Sequence, residues 1–311
     1  MERHDTGHGE GLAQDLEAIA GRMIARRRAL ALLAGVGTSA ALASCGGDES
    51  SASTASSGTT TSSSSSSSST STGSSSSTSS TSSSSGGTSA SACVADPSET
   101  NGPYPADGTN TASGATSNVL SQSGVVRSDI RSSFIGSTAT ADGVQLQLVL
   151  QLVDVSDGCA PVVGAAVYVW HCDAQGRYSL YSSGVTTESY LRGVQVTDSE
   201  GKVTFTTIYP ACYDGRWPHI HFEVFTGGLT AASTGRTATL ISQLAMPAAV
   251  NTAIYSSDTR YTASIANYNA VSLSADNVFG DNSSAELAQM TPALSGSVSA
   301  GYTGTALIGI A

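Results

Sequence analysis

Apolar and polar residues alternate over residues 144–153, where a Val or Leu stands at every second position. The apolar positions are Val144, Leu146, Leu148, Leu150 and Leu152. Because successive side chains of a strand point to opposite faces, this period of two predicts a β-strand with one buried face. Runs rich in Val, Tyr, Phe and Ile predict further strands over 162–171, 194–197, 203–208, 219–225, 237–244 and 302–310.

Asp198 and Gly201 lie between the predicted strands 194–197 and 203–208, and such turn residues predict a hairpin there. Helical signals are short, over 248–255 and 284–290. Many short strands separated by Gly and Asp turns favour a mainly β fold. We therefore expect a β-sandwich with short helices and long loops rather than an α/β sheet.

The residues from 50 to 92 are Ser, Thr, Ala or Gly without exception. A segment of this composition has almost no apolar surface to bury, so burial cannot offset the conformational entropy lost on folding. The composition predicts a disordered Ser/Thr-rich tether in front of the folded part of the chain.

The N-terminus has the pattern of an export signal. Three consecutive arginines, Arg26 to Arg28, precede an apolar run over 29–43 that is too short to span a bilayer well. The run ends in Leu-Ala-Ser-Cys at 42–45, which resembles a lipobox with Cys45 as the lipid-bearing residue. An uncleaved membrane anchor is the alternative. The arginines resemble a twin-arginine signal, and the general export route stays open.

These patterns divide the chain into three segments. We expect an export signal over 1–44, a lipid-attached linker over 45–92 and one folded domain over 93–311. The predicted location is the outer face of the bacterial cell membrane, with contact through the lipid on Cys45 only, or outside the cell.

The net charge of −11 is carried by the part of the chain after Cys45, which holds 8 basic against 19 acidic residues. An acidic surface without a basic stripe argues against nucleic acid or anionic lipid as the main partner.

Four cysteines follow Cys45, at positions 93, 159, 172 and 212. An even number in an exported domain predicts two disulfides, with three possible pairings between which the sequence does not choose. A bond between Cys172 and Cys212 would brace the candidate site described below. The alternatives are thiolates that bind metal, or free buried thiols.

Histidines are scarce in the folded part, and two of them form His219-Ile220-His221 within a predicted strand. Residues two apart on a strand share a face, so both imidazoles can reach one ion. Tyr178 follows a Gly-containing turn. Its position alone does not distinguish a functional residue from an aromatic residue on the surface.

Three stretches of the chain resemble the intradiol ring-cleavage dioxygenases, the family of catechol 1,2- and protocatechuate 3,4-dioxygenases. They are Trp-His…Gly-Arg-Tyr at 170–178, Tyr-Pro-Ala-Cys-Tyr at 209–213 and Arg-Trp-Pro-His-Ile-His-Phe at 216–222. Glu-Thr-Asn-Gly-Pro-Tyr at 99–104 resembles an element near the start of the family's catalytic domain. Leu-Ile-Ser-Gln at 240–243 resembles the strand that brings a glutamine toward the site.

The resemblance implies one iron(III) held by Tyr178, Tyr213, His219 and His221. Tyr178 and His219 would lie beside the substrate, and Tyr213 would leave the metal when a catechol binds. Iron(III) favours anionic oxygen ligands and lowers the pKa of a phenol, which is ordinarily near 10. The implied reaction is cleavage of a catechol-type ring with O₂ to a muconate-type diacid.

Two more residues receive roles from the resemblance. Arg216 would stabilise developing negative charge, with a surface ion pair as the alternative, and Gln243 would form a hydrogen bond behind the site. The segment 127–131, with arginines at both ends, could line the pocket mouth or cap the sandwich, and we favour the structural role.

The chain also departs from the family. It has a signal and tether where cytoplasmic members have a helical dimerisation region, so the family's dimer cannot be carried over, although an oligomer is possible. His-Cys-Asp at 171–173 and the extra cysteines resemble an exported branch. A tethered protein that captures iron or catecholates without turnover is the first rival. A β-sandwich adhesion or carrier module with structural histidines is the second.

Overall fold

The computed structural model of the protein describes residues 93–311. The predicted export signal over 1–44, the lipid-bearing Cys45 and the tether over 45–92 lie outside the described residues. Among the residues that are described, no helix is both long and apolar enough to cross a bilayer.

Nine strands and three short α-helices form the described part of the chain. The strands are β1 (Gln145–Asp154), β2 (Ala160–Pro161), β3 (Ala166–Trp170), β4 (Arg192–Val196), β5 (Lys202–Ile208), β6 (His219–Phe225), β7 (Leu240–Ala245), β8 (Ala293–Ser297) and β9 (Gly301–Ile310). The helices are α1 (Ala248–Tyr255), α2 (Ser264–Ala270) and α3 (Ser284–Met290). The mainly β fold expected from the sequence is confirmed.

The first sheet is built around β1. Strand β9 runs parallel to β1 along its whole length, and β8 pairs antiparallel with β9 at the edge. Strands β5 and β2 pair antiparallel with the other side of β1. The predicted alternation along β1 is confirmed, because Leu146, Leu148, Leu150 and Leu152 are all fully buried.

The second sheet has the order β4-β3-β6-β7, and all its pairs are antiparallel. One of its faces is apolar, with Val167, Val169, Ile220, Phe222 and Val224 fully buried in the main core. The two sheets together form the expected β-sandwich.

The predicted hairpin is wrong, although its turn is present. The Asp198 carboxylate accepts hydrogen bonds from the backbone N–H groups of Glu200 and Lys202, each at 2.9 Å. Strand β4 before the turn pairs with β3, however, whereas β5 after it pairs with β1. The turn therefore carries the chain from one sheet to the other.

The other differences concern boundaries and small elements. The strand expected over 162–171 begins at Ala166, and the one expected over 237–244 begins at Leu240, behind a 3₁₀ turn at Gly235–Thr237. Both predicted helices are confirmed as α1 and α3. Helix α2 and strands β2 and β8 have no counterpart in the predictions.

The cysteines form one disulfide in the described chain, between Cys93 and Cys159. The prediction of two disulfides, with Cys172 and Cys212 bracing the site, is wrong, since both are free and buried. Each sulfur faces a backbone carbonyl instead: Cys172 Sγ lies 3.6 Å from the oxygen of Ala211, and Cys212 Sγ 3.4 Å from that of Arg216. Burial raises the pKa of Cys212 to about 12, so this side chain stays a thiol.

Candidate active site

One residue from each strand of the second sheet contributes to a row across its polar face. In the register of the sheet, Trp170 of β3 lies opposite both Arg192 of β4 and His221 of β6, and His221 lies opposite Gln243 of β7. Directly opposed residues of antiparallel strands point to the same face. The row is therefore continuous, and it places His221 and Gln243 side by side.

The two histidines of β6 meet through their Nε2 atoms, which lie 3.1 Å apart. The Nδ1 atom of His219 lies 2.5 Å from the backbone oxygen of Trp217. Because a carbonyl only accepts hydrogen bonds, Nδ1 of His219 must carry the proton, which leaves the lone pair on Nε2. That lone pair points toward His221 and the two tyrosines described next.

A tight turn places Tyr178 beside His219. The Asp173 carboxylate accepts hydrogen bonds from the backbone N–H groups of Gln175 and Arg177, each at 2.9 Å. Gly176 has a φ of +82°, and a Cβ at this position would lie 3.1 Å from the Cβ of Tyr213. The turn thus needs glycine for its conformation and for its approach to Tyr213. The Tyr178 hydroxyl ends 3.4 Å from Nε2 of His219.

Tyr213 reaches the same nitrogen from the loop before β6. Its hydroxyl lies 3.2 Å from Nε2 of His219. Helix α2 anchors this loop, because the Ser264 hydroxyl accepts from the N–H of Cys212 and the Asn267 amide donates to its carbonyl. Of the two tyrosines, Tyr213 is partly exposed, whereas Tyr178 is 1% exposed.

The structure therefore brings together all four residues that the sequence singled out as metal ligands. Tyr178, His219 and His221 are buried, which excludes the reading of Tyr178 as a surface aromatic. Within residues 93–311, no group of three or more His, Cys, Asp and Glu side chains is arranged to hold a metal ion. Any metal at this cluster would thus depend on the tyrosine oxygens.

The environment of the cluster disfavours charge. Burial, and after it the charge of Arg216, lower the pKa of His219 to about 3. Burial, and then His219, lower the pKa of His221 well below its ordinary value. Burial and the neighbouring Tyr213 raise the pKa of Tyr178 well above its ordinary value. Burial thus favours neutral imidazoles and opposes ionisation of the Tyr178 phenol.

Arg216 and Gln243, the two further residues predicted to contribute to the site, lie next to each other behind the cluster. Both side chains are fully buried, and Nη2 of Arg216 donates to Oε1 of Gln243 at 2.8 Å. The Gln243 amide in turn donates to the backbone oxygen of Thr100 at 2.9 Å. Arg216 forms an ion pair with Asp276, and this pair is buried rather than on the surface.

Trp170 has a role that was not predicted from the sequence. Its ring stacks on the His221 imidazole, with centroids 4.8 Å apart and planes within 7°. Tyr168 stacks on the other side of Trp170 at 4.8 Å. Nδ1 of His221 has no hydrogen-bond partner among residues 93–311, so stacking orients this ring, whereas a hydrogen bond orients His219. Pairing of the predicted strands 162–171 and 219–225 was the signal that could have revealed this contact.

Asp276 was also missed, since it lies 60 residues beyond Arg216. The segment 127–131 takes the structural role that was favoured. The Arg127 guanidinium donates to backbone oxygens, including those of Arg192 and Ile130, and lies 4.4 Å from the centroid of the Phe134 ring.

Comparison with protein families gives a match to the dioxygenase family model over residues 126–235. This range contains Tyr178, Tyr213, Arg216, His219 and His221.

The chain is similar to the chlorocatechol 1,2-dioxygenase of Pseudomonas sp. (strain P51), at 31% identity over 97 residues, which are 25% of this chain and 38% of that protein. It is similar to the catechol 1,2-dioxygenase of Candida albicans, at 35% identity over 82 residues, which are 21% of this chain and 27% of that one. The chain thus spans less than two fifths of the length of these relatives.

A solved structure, an intradiol ring-cleavage dioxygenase from Tetranychus urticae, has the same fold with a TM-score of 0.51. The two chains are 23% identical, and the alignment covers 70% of this chain and 95% of that one. The family match, the relatives and the fold agree: residues 126–235 match the dioxygenase family model, and the described residues have the fold of an intradiol ring-cleavage dioxygenase.

Proposed function

We propose that this protein cleaves the ring of a catechol-type aromatic diol with O₂, using one iron(III) held by Tyr178, Tyr213, His219 and His221. The observation that carries the proposal is the convergence of two tyrosine oxygens and His221 on Nε2 of His219, at 3.1 to 3.4 Å. Ligand atoms about 2.1 Å from a shared ion and at right angles to each other lie about 3.0 Å apart.

The donor set suits iron(III) in its chemistry as well. Two phenolates and two neutral imidazoles combine hard anionic oxygen with nitrogen, and the phenolates offset much of the charge of a trivalent ion. Burial keeps the phenol of Tyr178 neutral on its own, so its ionisation requires a nearby cation. Bound iron(III) would supply electron withdrawal from a catechol at the site, which makes a ring carbon reactive toward O₂.

The residues of the chain would divide the remaining work. Tyr213 is the partly exposed member of the set, so we propose that a substrate enters past its ring. Its phenolate oxygen can then take one of the two protons that a catechol loses on binding. His219 keeps its tautomer through Trp217, and His221 keeps its orientation through Trp170.

Arg216 would act on negative charge that develops as O₂ adds to the ring. It is fully buried and lies close enough to Tyr178, His219 and His221 to shift the pKa of each. A fixed cation in a site that excludes water stabilises such charge without reorganising. A protein that merely captured catecholates would not need it.

The test is a visible spectrum of the iron-loaded protein, recorded without oxygen before and after catechol is added, with the iron-free protein as control. Phenolate bound to iron(III) gives a strong charge-transfer band, and we expect catechol to shift it. Admission of O₂ should then yield a muconate-type diacid. A shifted band without product would indicate capture without turnover. A colourless protein with full iron content would contradict the ligand set.

A further inference from the structure

The buried ion pair of Arg216 joins the candidate site to a distant part of the chain. Its partner, Asp276, directly follows a 3₁₀ turn at Leu273–Ala275, outside the range that matches the family model. Both side chains of the pair are fully buried, and Nε of Arg216 lies 3.0 Å from Oδ2 of Asp276. A second contact joins Nη2 of Arg216 to Oδ1 at 3.4 Å.

Asp276 also organises the backbone on both sides of the pair. Its Oδ2 accepts from the N–H of Trp217 at 2.7 Å, next to Arg216 in the chain. Its Oδ1 accepts from the N–H groups of Val278 and Phe279 at 2.8 and 3.2 Å. The carboxylate thus fixes the backbone at Trp217 and the segment that packs Phe279 near His219.

The guanidinium of Arg216 is consequently held from two directions. Asp276 binds one edge, and Gln243, itself held by Thr100, accepts from Nη2. Burial alone would raise the pKa of Asp276, but Arg216 and the N–H of Trp217 hold it below its ordinary value. The carboxylate therefore stays ionised, and an ionised partner in a fixed position leaves the arginine little rotational freedom.

We infer that Asp276 is the positioning residue that aims Arg216 at the reacting atoms in the ring cleavage proposed above. This inference rests on the proposed function and extends it to a residue outside the family match. Arg216 alone is a long, flexible side chain, and misplacement of a group at a reaction centre by about 1 Å can lower the rate about 100-fold.

The experiment is a double-mutant cycle on the iron-loaded full chain, with Asp276→Asn, Arg216→Gln and both together. Asp276→Asn should lower kcat about 10- to 100-fold and leave KM within about threefold, because Arg216 acts on charge formed during the reaction. In a protein that already carries Arg216→Gln, Asp276→Asn should not lower kcat any further. If the losses multiply instead, Asp276 does not act through Arg216 and the inference is wrong.

Two comparisons separate this role from a structural one. Asp258→Asn removes another Asp–Arg pair of the C-terminal part, Asp258 with Arg260 at 2.6 Å, and should leave kcat unchanged. Urea unfolding of every variant measures stability in parallel. Should Asp276→Asn not fold, Asp276→Glu keeps the charge and moves it by one methylene group, so it enters the same cycle with the same expectation.

A readout without turnover keeps this inference distinct from the proposed function. In the iron-free protein, the Nε–H of Arg216 should exchange slowly in ¹⁵N NMR spectra, and it should exchange at least about 10-fold faster in Asp276→Asn. Unchanged protection would overturn the positioning role even if activity fell. Wild-type protein that binds iron without cleaving catechol would contradict the function, whereas the exchange rates would still decide what Asp276 does.

Discussion

The two sheets of the sandwich are buried in different ways. Along β1 of the first sheet, buried leucines alternate with exposed or partly exposed residues such as Gln145 and Gln147. Every residue of β3 and β6 in the second sheet is buried, on both faces. The first sheet thus has one face in the core and one face exposed to solvent. The second sheet has one face in the core and one face covered by loops.

The covered face is where the polar chemistry lies. Its polar residues have to find partners within the protein, because loops exclude water from them. Arg192 illustrates this, since its guanidinium donates to the backbone oxygens of Tyr104, Pro105 and Ser179. The difference between the sheets indicates a division of roles. The first sheet contributes mainly to stability, whereas the covered face of the second sheet carries the candidate active site.

The largest effect should come from the covered face. Tyr178→Phe removes one oxygen of the donor set and should lower ring-cleavage activity about 1000-fold, which corresponds to about 4 kcal/mol. Its free energy of unfolding should change by less than about 1 kcal/mol, because the ring keeps its packing. Steady-state assays and urea unfolding measure the two quantities.

Tyr302→Phe is the matched control for Tyr178→Phe. Tyr302 is a largely buried tyrosine of β9 in the first sheet, 9% exposed, and its loss of a hydroxyl should leave activity intact. An equal loss of activity in both variants would mean that the candidate site is not confined to the second sheet.

A change in the first sheet should affect stability instead. Leu148 is fully buried and lies opposite Phe205 of β5 and Gly304 of β9. Leu148→Ala should lower the free energy of unfolding by about 3 kcal/mol through lost burial and the cavity left behind. Urea unfolding checks the loss, and kcat of the folded protein should stay within about twofold.

Gln147→Ala, on the exposed face of the same strand, is the control, with an expected change below about 0.5 kcal/mol. A kcat that fell in proportion to the stability of Leu148→Ala would show coupling between the sheets.

The smallest effect concerns a buried carboxyl at the first sheet. Burial raises the pKa of Asp96 to about 6, although Gln289 and the N–H of Gly309 in β9 donate to it. A carboxyl whose pKa is higher in the folded state takes up protons preferentially there. Its contribution is therefore greatest below about pH 4 and is lost as the pH rises to about 6.

Asp96→Asn should remove this dependence, so the difference in unfolding free energy between wild type and variant should change by about 2 kcal/mol between pH 4 and 7. Urea unfolding at several pH values measures it. Asp157→Asn, at an exposed position after β1, is the control. A constant difference across this range would show that Asp96 has no raised pKa.

The first sheet could be predicted well from the sequence. One of its faces is exposed to solvent, so apolar and polar residues alternate along its strands. The limits of the second sheet could not be predicted as well. Because both faces of β3 are buried, residues 162–170 show no polar alternation, and the pattern does not mark Ala166 as the start of the strand. The predicted hairpin between β4 and β5 is wrong because turn residues do not specify which sheet each flanking strand joins.

The candidate site was predicted to the extent that its residues lie in local motifs. Tyr178, Tyr213, His219 and His221 stand within such motifs and lie together in the structure. Asp276 and Trp170 act through contacts that depend on the tertiary fold, and so does the placement of Cys172, whose sulfur faces the carbonyl of Ala211 and is free. No spacing along the chain carries that information.

The disulfide at the start of the described chain has a mechanical consequence. Cys93 is bonded to Cys159 in the loop after β1, and the next residues are clamped to β9 by hydrogen bonds between Asp96 and Gly309. A pulling force applied through the chain before Cys93 therefore enters the molecule at the ends of β1 and β9. Those two strands are parallel neighbours in the first sheet, whereas His219 and His221 lie on a strand of the second sheet, which neither of these two contacts reaches.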